Sequence, residues 1–516
     1  MRRGTKNRLA NSLRVIDFVL LWAHALFVLH PLSFLSRVPG SSPNEEALRS
    51  RAFAVNPRSK PLLTQFATME AFPMTKTRSV RLCRASFVGF LALATFVVPS
   101  FAQNLSQGKI LGGYFEEWSI YYAGYNIANL QQNGVASKLT HLFYAFANVS
   151  TTPACAIADT WADYQSPYLP SVSGAPYAGP LYGNFAAIQQ LEQLHPELHV
   201  VISIGGASAA NTAAFAAAAS TQAGRQALAA SCIDMFISGN IAPGITAPGL
   251  FDGINIDWEF PTASDTQNFT ALLREFRDQL NQLSSTTGKR YNLSFDGPAG
   301  AQNYVNIDLA DAAKQVDFIT IDGYNYAGSW DTQTNDASPL FDSRQDPAFG
   351  QGLDIDSTVN AYLRAGVPPS KYTMGLPLYG AGWTGVPNVN RGLYQNSTGP
   401  SPVPLANGTG LCTDLSGGTP GCDPLLTPGL ATYSTLANLM ANGYRLHFDP
   451  QRVAVSLYDP TPGTFYTFDN PLTATLKMIY VNTKVPRGLG GAYVWAVKDD
   501  DANGTMVKTM AAFLGR

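Results

Sequence analysis

Charged residues are scarce in this sequence: Asp, Glu, Lys and Arg make up 14% of its 516 residues, where about a quarter is usual for soluble domains. It contains six histidines and five cysteines, and no Cys-x-x-Cys pair occurs. Zinc sites are commonly built from such pairs together with histidines at short spacing. The sequence therefore predicts no bound metal and no cofactor.

Basic residues are unevenly spread along the chain. The first 102 residues hold 14 of the 34 Lys and Arg residues but only 4 of the 36 Asp and Glu residues, so the remainder carries a formal charge of −12. An acidic surface repels the phosphates of nucleic acids. The charge pattern argues against nucleic acid as a partner and favours an uncharged substrate.

The basic N-terminal region has the layout of an export signal. Met74 opens a short basic stretch, which is followed by the apolar run Ala85–Val98 and by small residues up to Ala102. This layout predicts a signal peptide at residues 74–102 and a secreted protein without stable membrane association. A retained anchor is the alternative, although the apolar run is shorter than the ~20 residues of a membrane span. Residues 1–73 show no domain character, and we interpret them as an over-extended leader.

Four cysteines remain once Cys83 leaves with the signal peptide, and an even number in an exported protein is typical of disulfides. Cys412 and Cys422 bracket a loop rich in Gly and Pro, so we predict that they form one bond. A second bond between Cys155 and Cys232 follows only by elimination. Four free buried thiols are the alternative.

Strand-like and helix-like segments alternate through the middle of the chain. The predicted order is helix Asn184–Leu194, strand Val200–Ile204, helix Thr212–Ser238, strand Gly249–Asp257, helix Asp265–Leu283, strand Tyr291–Phe295, helix Ile307–Lys314 and strand Asp317–Ile321. Regular βα alternation favours a parallel sheet, and an eight-stranded (β/α)8 barrel fits the count. In such barrels function lies at the C-terminal ends of the strands.

One stretch interrupts this alternation. About 90 residues between Trp383 and Leu472 are rich in Gly, Pro and Thr, yet they include the strand-like runs Val453–Tyr458 and Thr464–Phe468. This is too long for an ordinary βα loop, and its many aromatic residues argue against a disordered excursion. We predict a small α+β insertion subdomain at residues 384–470, between the last two strands.

The most informative segment reads FDGINIDWEFP and covers Phe251–Pro261. On a strand, side chains alternate, so Asn255, Asp257 and Glu259 point one way and the apolar residues between them point the other way. A polar row on a buried strand is costly, and a solvated edge strand is the alternative. Because a neighbouring charge raises the pKa of a carboxyl, the final Glu beside an Asp predicts acid catalysis.

This segment resembles the DGxDxDxE signature of glycoside hydrolase family 18, the chitinase family. Other segments resemble strands of that family in order: KILGGYF at Lys109–Phe115, LTHLFYAFANV at Leu139–Val149, VVISIGG at Val200–Gly206, VDFITIDGYNYAG at Val316–Gly328, YTMGLPLYGAGW at Tyr372–Trp383 and LGGAYVWAVKDDD at Leu489–Asp501. The resemblance implies a TIM barrel over residues 108–516 that acts as a monomer on chitin or chito-oligosaccharides.

The resemblance also implies roles for the matching residues. In this family the acetamido oxygen of the sugar attacks its own anomeric carbon. Glu259 would then be the acid, Asp257 would hold the acetamide N–H, and Tyr324 would donate a hydrogen bond to the acetamide carbonyl. Trp495 would form the floor under the sugar. The other predicted site residues are Tyr114, Asn325, Tyr379, Trp383 and Asp322 for substrate binding, with Ser203 and Asp252 as core support.

The sequence departs from the family pattern in its polar row. Asn255 stands where the family has an inner Asp, and an amide cannot share a proton with Asp257. Asp322 stands where the family has Met, two residues before Tyr324 and therefore on the same side of the barrel. We hypothesise that Asp322 supplies the negative charge that Asn255 lacks. Three further departures, at Ala207, Ala381 and Asn325, concern the subsites more than the chemistry.

Two other functions stay open at this point. An endo-β-N-acetylglucosaminidase acting on N-glycans shares the motif and the mechanism, but those enzymes typically have shorter barrels without the insertion. A catalytically inactive chitin-binding lectin on the same fold usually lacks the acid. Glu259 argues against a lectin, whereas Asn255 keeps it open.

Overall fold

The computed structural model describes residues 108–121, 123–415, 420–423 and 426–516. The predicted leader and signal peptide lie outside these residues. Among the helices of the described part, none is long and apolar enough to cross a membrane.

Strands of two different sheets occur in the described residues. They are β1 (Ile110–Glu116), β2 (His141–Val149), β3 (Cys155–Ile157), β4 (His199–Gly206), β5 (Gly253–Trp258), β6 (Asn292–Gly297), β7 (Phe318–Ile321), β8 (Tyr372–Pro377), β9 (Tyr379–Thr384), β10 (Gly399–Pro400), β11 (Leu430–Thr432), β12 (Arg445–Asp449), β13 (Ala454–Asp459), β14 (Thr464–Phe468) and β15 (Gly491–Trp495).

Eight of these strands form a closed parallel barrel. The strands β1, β2, β4, β5, β6, β7, β8 and β15 pair in this order, and β1 pairs with both β2 and β15, which closes the sheet. β3 adds a short antiparallel edge to β2. Large side chains fill the barrel interior: Tyr114, Phe143, Val201, Phe318 and Tyr493. The predicted (β/α)8 barrel is confirmed.

Helices separate the barrel strands. They are α1 (Ile127–Gln132), α2 (Gly183–Leu194), α3 (Ala209–Ala219), α4 (Gln222–Cys232), α5 (Thr266–Thr287), α6 (Ala301–Tyr304), α7 (Leu309–Gln315), α8 (Ile355–Arg364), α9 (Tyr433–Ala441), α10 (Pro471–Thr483) and α11 (Thr505–Leu514). In α5, every buried residue lies on one face, as the 3.6-residue period of an amphipathic helix requires.

The single helix predicted over Thr212–Ser238 is wrong, because the structure has two helices there, α3 and α4. Between them the backbone of Thr221 is extended, with φ −126° and ψ 151°. Its hydroxyl accepts a hydrogen bond from the backbone N–H of Gly224 at 3.0 Å. Thr221 is therefore the N-cap that starts α4 and ends the continuity with α3.

The chain between β8 and β15 builds a second, antiparallel sheet. Its strand order is β10, β9, β14, β13 and β12, and β11 also pairs with β9. This sheet begins at Tyr379, five residues before the predicted start of the insertion. The segment matched to one barrel strand, Tyr372–Trp383, is therefore two strands. The break falls at Leu378, whose N–H bonds to the carbonyl of Trp495 while β9 turns away to pair with β14.

Buried polar contacts connect the segment after β7 with helix α10 and with the turn between β12 and β13. The ammonium group of Lys477 lies 2.6 Å from Asp469 and donates to the carbonyl of Ser338 at 2.6 Å. Arg452 pairs with Asp336 at 2.9 Å and also with Asp346. All five charged residues in these contacts are at least 97% buried.

Both predicted disulfides are present. Cys155 at the start of β3 is bonded to Cys232 at the end of α4, and Cys412 is bonded to Cys422. The first bond joins residues 77 positions apart and the second joins residues 10 positions apart. The elimination argument for the longer pair is therefore confirmed.

Candidate active site

The site is built on β5, whose two faces differ as predicted. Asn255 and Asp257 point into the barrel, and Trp258 on the opposite face stacks on Phe215 of α3 with ring centroids 5.5 Å apart. All six residues of β5 are buried. The apolar face fixes the strand against the helices, so the polar face is directed into the barrel.

Two carboxyl groups stand at the C-terminal end of this strand, Asp257 within it and Glu259 just after it. Burial and, to a smaller extent, the charge of Asp322 together raise the pKa of Glu259 to about 7. Asp257 is 4% exposed, and its Oδ1 atom has no hydrogen-bond partner. Burial also raises the pKa of Asp257 well above its usual range, with contributions from the charges of Glu259 and Asp322. The site is therefore rich in carboxyl protons at neutral pH.

Asn255 lies one layer deeper and is held on all sides by neutral groups. Ser203 and Tyr114 donate hydrogen bonds to its Oδ1 atom at 2.8 and 3.2 Å. Its Nδ2 group donates to the hydroxyls of Ser294 at 2.9 Å and Thr320 at 3.4 Å. The structure thus brings Ser203 and Tyr114 to position 255, and it makes the layer beneath Asp257 uncharged.

Asp322 occupies the position that the charge hypothesis requires. Tyr493 donates a hydrogen bond to its Oδ1 atom at 2.8 Å, and the hydroxyls of Tyr324 and Tyr493 are 3.4 Å apart. Burial raises the pKa of Asp322 to about 6, while hydrogen bonds from Tyr324 and Tyr493 oppose that rise. Its charge acts on both Asp257 and Glu259.

Sequence reasoning missed a fourth carboxyl, Asp296 on β6. It is 8% exposed and lies in register with Thr320 of β7, whose hydroxyl donates to Asp296 Oδ1 at 3.2 Å. Burial and the charges of the other three carboxyl groups raise the pKa of Asp296 well above its usual range. The available signal was the alternation of Ser294 and Asp296 with Leu293 and Phe295, which repeats the pattern seen in β5.

Aromatic and amide side chains line the space above these carboxyl groups. The hydroxyl of Tyr379 donates to Asn325 Oδ1 at 2.8 Å, and the rings of Tyr379 and Tyr324 meet edge to face at 6.0 Å. The half-buried indole of Trp495 lies 5.2 Å from the ring of Tyr114 and stacks on Phe146 at 5.6 Å. Tyr324, Tyr379 and Asn325 therefore lie together, and the charge of Glu259 acts on Tyr379. Trp495 packs against Tyr114 and Phe146, and the contacts of all four residues with a sugar stay predictions.

Trp383 was predicted to bind substrate, and this prediction is wrong. Its side chain is fully buried in the core of the second sheet, among Val386, Tyr458 and Phe465. Its indole N–H donates to the carbonyl of Asp331 at 2.9 Å. The chain leaves the barrel at Leu378 and continues as β9. Trp383 on β9 therefore packs in the hydrophobic cluster beside the second sheet.

Asp252 lies at the opposite end of β5 from Glu259. It forms ion pairs with Lys289 at 2.6 Å and with His199 at 3.6 Å, and it accepts a hydrogen bond from the backbone N–H of Val200. These contacts join β5 to β4 and to the end of α5. The role of Asp252 as core support stays a prediction.

The carboxyl cluster has no arrangement suited to a metal ion: among the described residues, no group of three or more His, Cys, Asp or Glu side chains is placed to hold one.

The sequence was also compared with models of known protein families. The family model described as "Glycosyl hydrolases family 18" matches residues 110–500. The chain belongs to glycosyl hydrolase family 18.

Individual family members are moderately similar. "Chitinase A1" of Niallia circulans is 28% identical over 467 residues, which cover 80% of this chain and 60% of that protein. "Endochitinase 1" of Metarhizium anisopliae is 29% identical, covering 84% of this chain and 92% of that protein. The chain thus spans less than two thirds of the bacterial relative and nearly all of the fungal one.

A solved structure in this family is also similar. The catalytic domain of the psychrophilic chitinase B from Arthrobacter TAD20 is 31% identical, with a TM-score of 0.69, and the match covers 79% of this chain and 95% of that domain. The fold of this chain is therefore similar to that of a solved chitinase catalytic domain.

Proposed function

We propose that the chain is a secreted chitinase that hydrolyses β-1,4 bonds between N-acetylglucosamine units, with retention of configuration and participation of the substrate's acetamido group. The observation that carries this proposal is the buried Oδ1 atom of Asp257, which has no partner and lies beside the acid Glu259. A buried acceptor requires a donor, and the acetamide N–H of the substrate is a suitable one.

The first step uses Glu259 as the general acid. Its pKa of about 7 keeps a large fraction protonated near neutrality. The proton passes to the glycosidic oxygen as the bond from that oxygen to the anomeric carbon breaks, and the leaving chain departs as an alcohol. The acetamide carbonyl oxygen forms a new bond to the anomeric carbon, which gives a cationic oxazolinium.

Asp257 and Tyr324 act on the acetamido group itself. The carboxylate of Asp257 accepts the acetamide N–H and balances the positive charge that develops in the ring. The hydroxyl of Tyr324 donates to the acetamide carbonyl and orients it towards the anomeric carbon. In the second step, the carboxylate of Glu259 takes a proton from water, and the oxygen of that water attacks the anomeric carbon as its bond to the acetamide oxygen breaks and the acetamide is restored. Two displacements give net retention.

The site and the relatives support the same proposal from different directions. Carboxyl groups with raised pKa lie at the C-terminal strand ends, where barrel enzymes carry their chemistry. The relatives compared above carry the names chitinase and endochitinase. An uncharged polysaccharide also suits a site whose charged groups are all acidic and whose walls are aromatic.

The decisive experiment measures release of reducing ends from chitotetraose and from colloidal chitin. We expect the wild type to be active and Glu259→Gln to lose activity by at least about 100-fold, since it removes the acid. Glu275→Gln, the same chemical change on the outer helix α5, serves as the matched control. Proton NMR of the first products should show the retained β-anomer.

Two outcomes would contradict the proposal. Binding of chitotetraose without any release of reducing ends would indicate a lectin. Cleavage of a high-mannose glycopeptide in preference to chitotetraose would indicate an endo-β-N-acetylglucosaminidase.

Secretion is tested separately on the exported protein. Expression of the full chain followed by N-terminal sequencing should find a mature start immediately after Ala102. A mature N-terminus upstream of Met74 would contradict the predicted signal peptide.

A further inference from the structure

Asn255 stands where the family pattern has the aspartate that would neighbour Asp257, and the amide of Asn255 is already fully hydrogen-bonded. Each polar atom of the Asn255 amide has two neutral partners, from four different strands. No hydrogen bond joins Asn255 to Asp257 within the described structure, where Oδ1 of Asp257 stays unpaired. A hydrogen-bond partner for Oδ1 of Asp257 therefore has to come from a residue other than Asn255.

The strand register places Asp296 next to Asp257. Ile256 of β5 is paired with Phe295 of β6, and Asn255 is paired with Ser294. Asp257 and Asp296 follow these pairs by one residue on each strand, so both side chains enter the barrel at the same height. Neighbouring strands are roughly 4.8 Å apart. A rotation of Asp257 about its χ1 bond towards β6 can bring the two carboxyl groups into contact.

Asp322 lies one layer closer to the C-terminal strand ends, since Thr320 is the residue of β7 in register with Asp296, and it is held in a different way. Tyr493 donates to it at 2.8 Å, and Tyr324 also lies within hydrogen-bond reach. Donors of this kind stabilise the ionised form. Asp322 is thus suited to carry a negative charge, and Asp257 and Asp296 are the two carboxyl groups at one height that can share a proton beneath the acid Glu259.

Among the described residues, no cation acts on these groups. The side chains that act on Asp257 and Asp296 are those of Glu259, Asp322 and Thr320. The negative charge of Asp296 in turn raises the pKa of four surrounding tyrosines: Tyr114, Tyr324, Tyr362 and Tyr493. Burial raises the pKa of both Asp257 and Asp296 well above the usual range. Two adjacent buried carboxyl groups without a cation retain a proton.

We propose that Asp257 and Asp296 share one proton across neighbouring strands, and that this pair takes the place of the one that an aspartate at position 255 would form along a single strand. The inference rests on the proposed hydrolysis and assigns Asp296 as a positioning residue for Asp257. In the complex with substrate, Asp257 is the ionised member and accepts the acetamide N–H. Asp296 keeps the proton and donates its O–H to the Asp257 carboxylate, so no proton leaves the pair.

Two substitutions of Asp296 separate hydrogen-bond donation from shape. Asp296→Asn keeps an N–H donor, and we expect kcat on chitotetraose within about threefold of the wild type. Asp296→Leu keeps the branched shape of the side chain but has no donor, and we expect kcat to fall at least about tenfold with KM little changed. Because Asp257 must ionise without a donor in the Leu variant, the acid limb of its pH profile should rise by about one unit or more.

A second-site change and a surface control complete the design. Asn255→Asp combined with Asp296→Leu returns a carboxyl partner to Asp257 on its own strand and should recover much of the lost kcat. Asp311→Asn removes an exposed carboxylate from α7 and should leave kcat and the pH profile unchanged. A Leu variant with wild-type kcat and acid limb would overturn the proposal, as would equal losses in the Asn and Leu variants.

A readout without turnover separates this inference from the proposed hydrolysis. A pH titration of carboxyl 13C NMR signals should show a proton retained above neutral pH in the wild type and lost in Asp296→Asn. If that proton is found but chitotetraose is not hydrolysed, the proposed function fails and the carboxyl pair stands. If chitotetraose is hydrolysed but no such proton is found, the pair fails alone. Should Asp296→Leu not fold, the Asn variant and this titration decide the question.

Discussion

The hydroxyl of Tyr493 donates a hydrogen bond to the carboxylate of Asp322 across 2.8 Å. Tyr493 lies on β15 and Asp322 follows β7, and β8 lies between these two strands in the barrel. The bond therefore crosses the barrel interior and fixes a negative charge facing Asp257 and Glu259. Through Asp322, Tyr493 on the last barrel strand influences Asp257 and Glu259 without a direct hydrogen bond to either of them.

Asp322→Asn should move the whole pH profile to lower pH. The charge of Asp322 raises the pKa of both Glu259 and Asp257, so its removal lowers both. Glu259 has to be protonated to act as an acid, and its pKa of about 7 then falls, which reduces kcat/KM at pH 7. The measurement is kcat/KM on chitotetraose from pH 4 to pH 9, a range of about five units around the usual carboxyl and histidine values.

Tyr493→Phe provides the matched comparison for that experiment. Loss of the hydroxyl removes a hydrogen bond that lowers the pKa of Asp322, so the pKa of Asp322 should rise above its value of about 6. Asp322 then loses its charge at a higher pH, and the profile should move in the same direction as in Asp322→Asn but by less. An unchanged profile in Asp322→Asn would remove the hypothesis that this residue supplies the missing charge.

Trp383→Ala should reduce stability without altering substrate affinity. The indole is fully buried in the second sheet, and truncation of a buried Trp leaves a cavity that costs about 3–5 kcal/mol. Urea unfolding gives the free-energy change, and steady-state kinetics at a temperature where the variant is folded gives KM. A large rise in KM in the folded variant would restore the earlier prediction that Trp383 contacts the sugar.

Asp469→Asn should destabilise the protein strongly. It leaves the fully buried ammonium of Lys477 without its carboxylate, and breaking such a pair from one side costs about 3–5 kcal/mol. The double variant Asp469→Leu with Lys477→Met removes both charges and should recover much of the loss. Comparison of the three proteins by urea unfolding tests this, and a double variant less stable than Asp469→Asn would show that the pair itself is strongly stabilising.

Trp330→Ala should weaken binding of longer chains. The indole is 65% exposed in the segment after β7, and its ring lies over Gly328, where a Cβ atom would collide with it. An exposed ring that follows a C-terminal strand end of the barrel suits packing on the apolar face of a sugar. We expect KM for chitohexaose to rise about two- to tenfold with kcat nearly constant. Phe513→Ala, on the outer helix α11, is the control and should leave KM unchanged.

The fold could be predicted from the sequence where one face of each strand and helix is apolar. The alternation on β5 and the helix after it were visible because side-chain period follows burial. The break at Thr221 was not, because alanine-rich sequence continues the helical pattern on both sides and a single cap residue decides the end. The division between β8 and β9 was hidden for a similar reason, since both strands are apolar and one residue separates them.

The candidate site was predictable as far as it lies on one strand. Asn255, Asp257 and Glu259 form a period-two pattern, and the position of Asp322 could be inferred from its spacing to Tyr324. Asp296 could not be placed beside Asp257 without the register between β5 and β6, which depends on pairing over a long sequence distance. The prediction that Trp383 binds substrate was wrong because the direction of its side chain depends on which sheet its strand joins.

The layered arrangement of neutral and acidic groups has a consequence for how such proteins are recognised. A sequence filter that demands every acid on a single strand would reject this chain at position 255 and class it as impaired. The ends of β5, β6 and β7 each contribute an inward-facing carboxyl group: Asp257 and Asp296 lie at the same height, and Asp322 lies two residues beyond Thr320, the residue in register with Asp296. In such a barrel the acidic groups of the site come from several neighbouring strands. The effect of a substitution on one strand therefore depends on the carboxyl groups that the adjacent strands contribute.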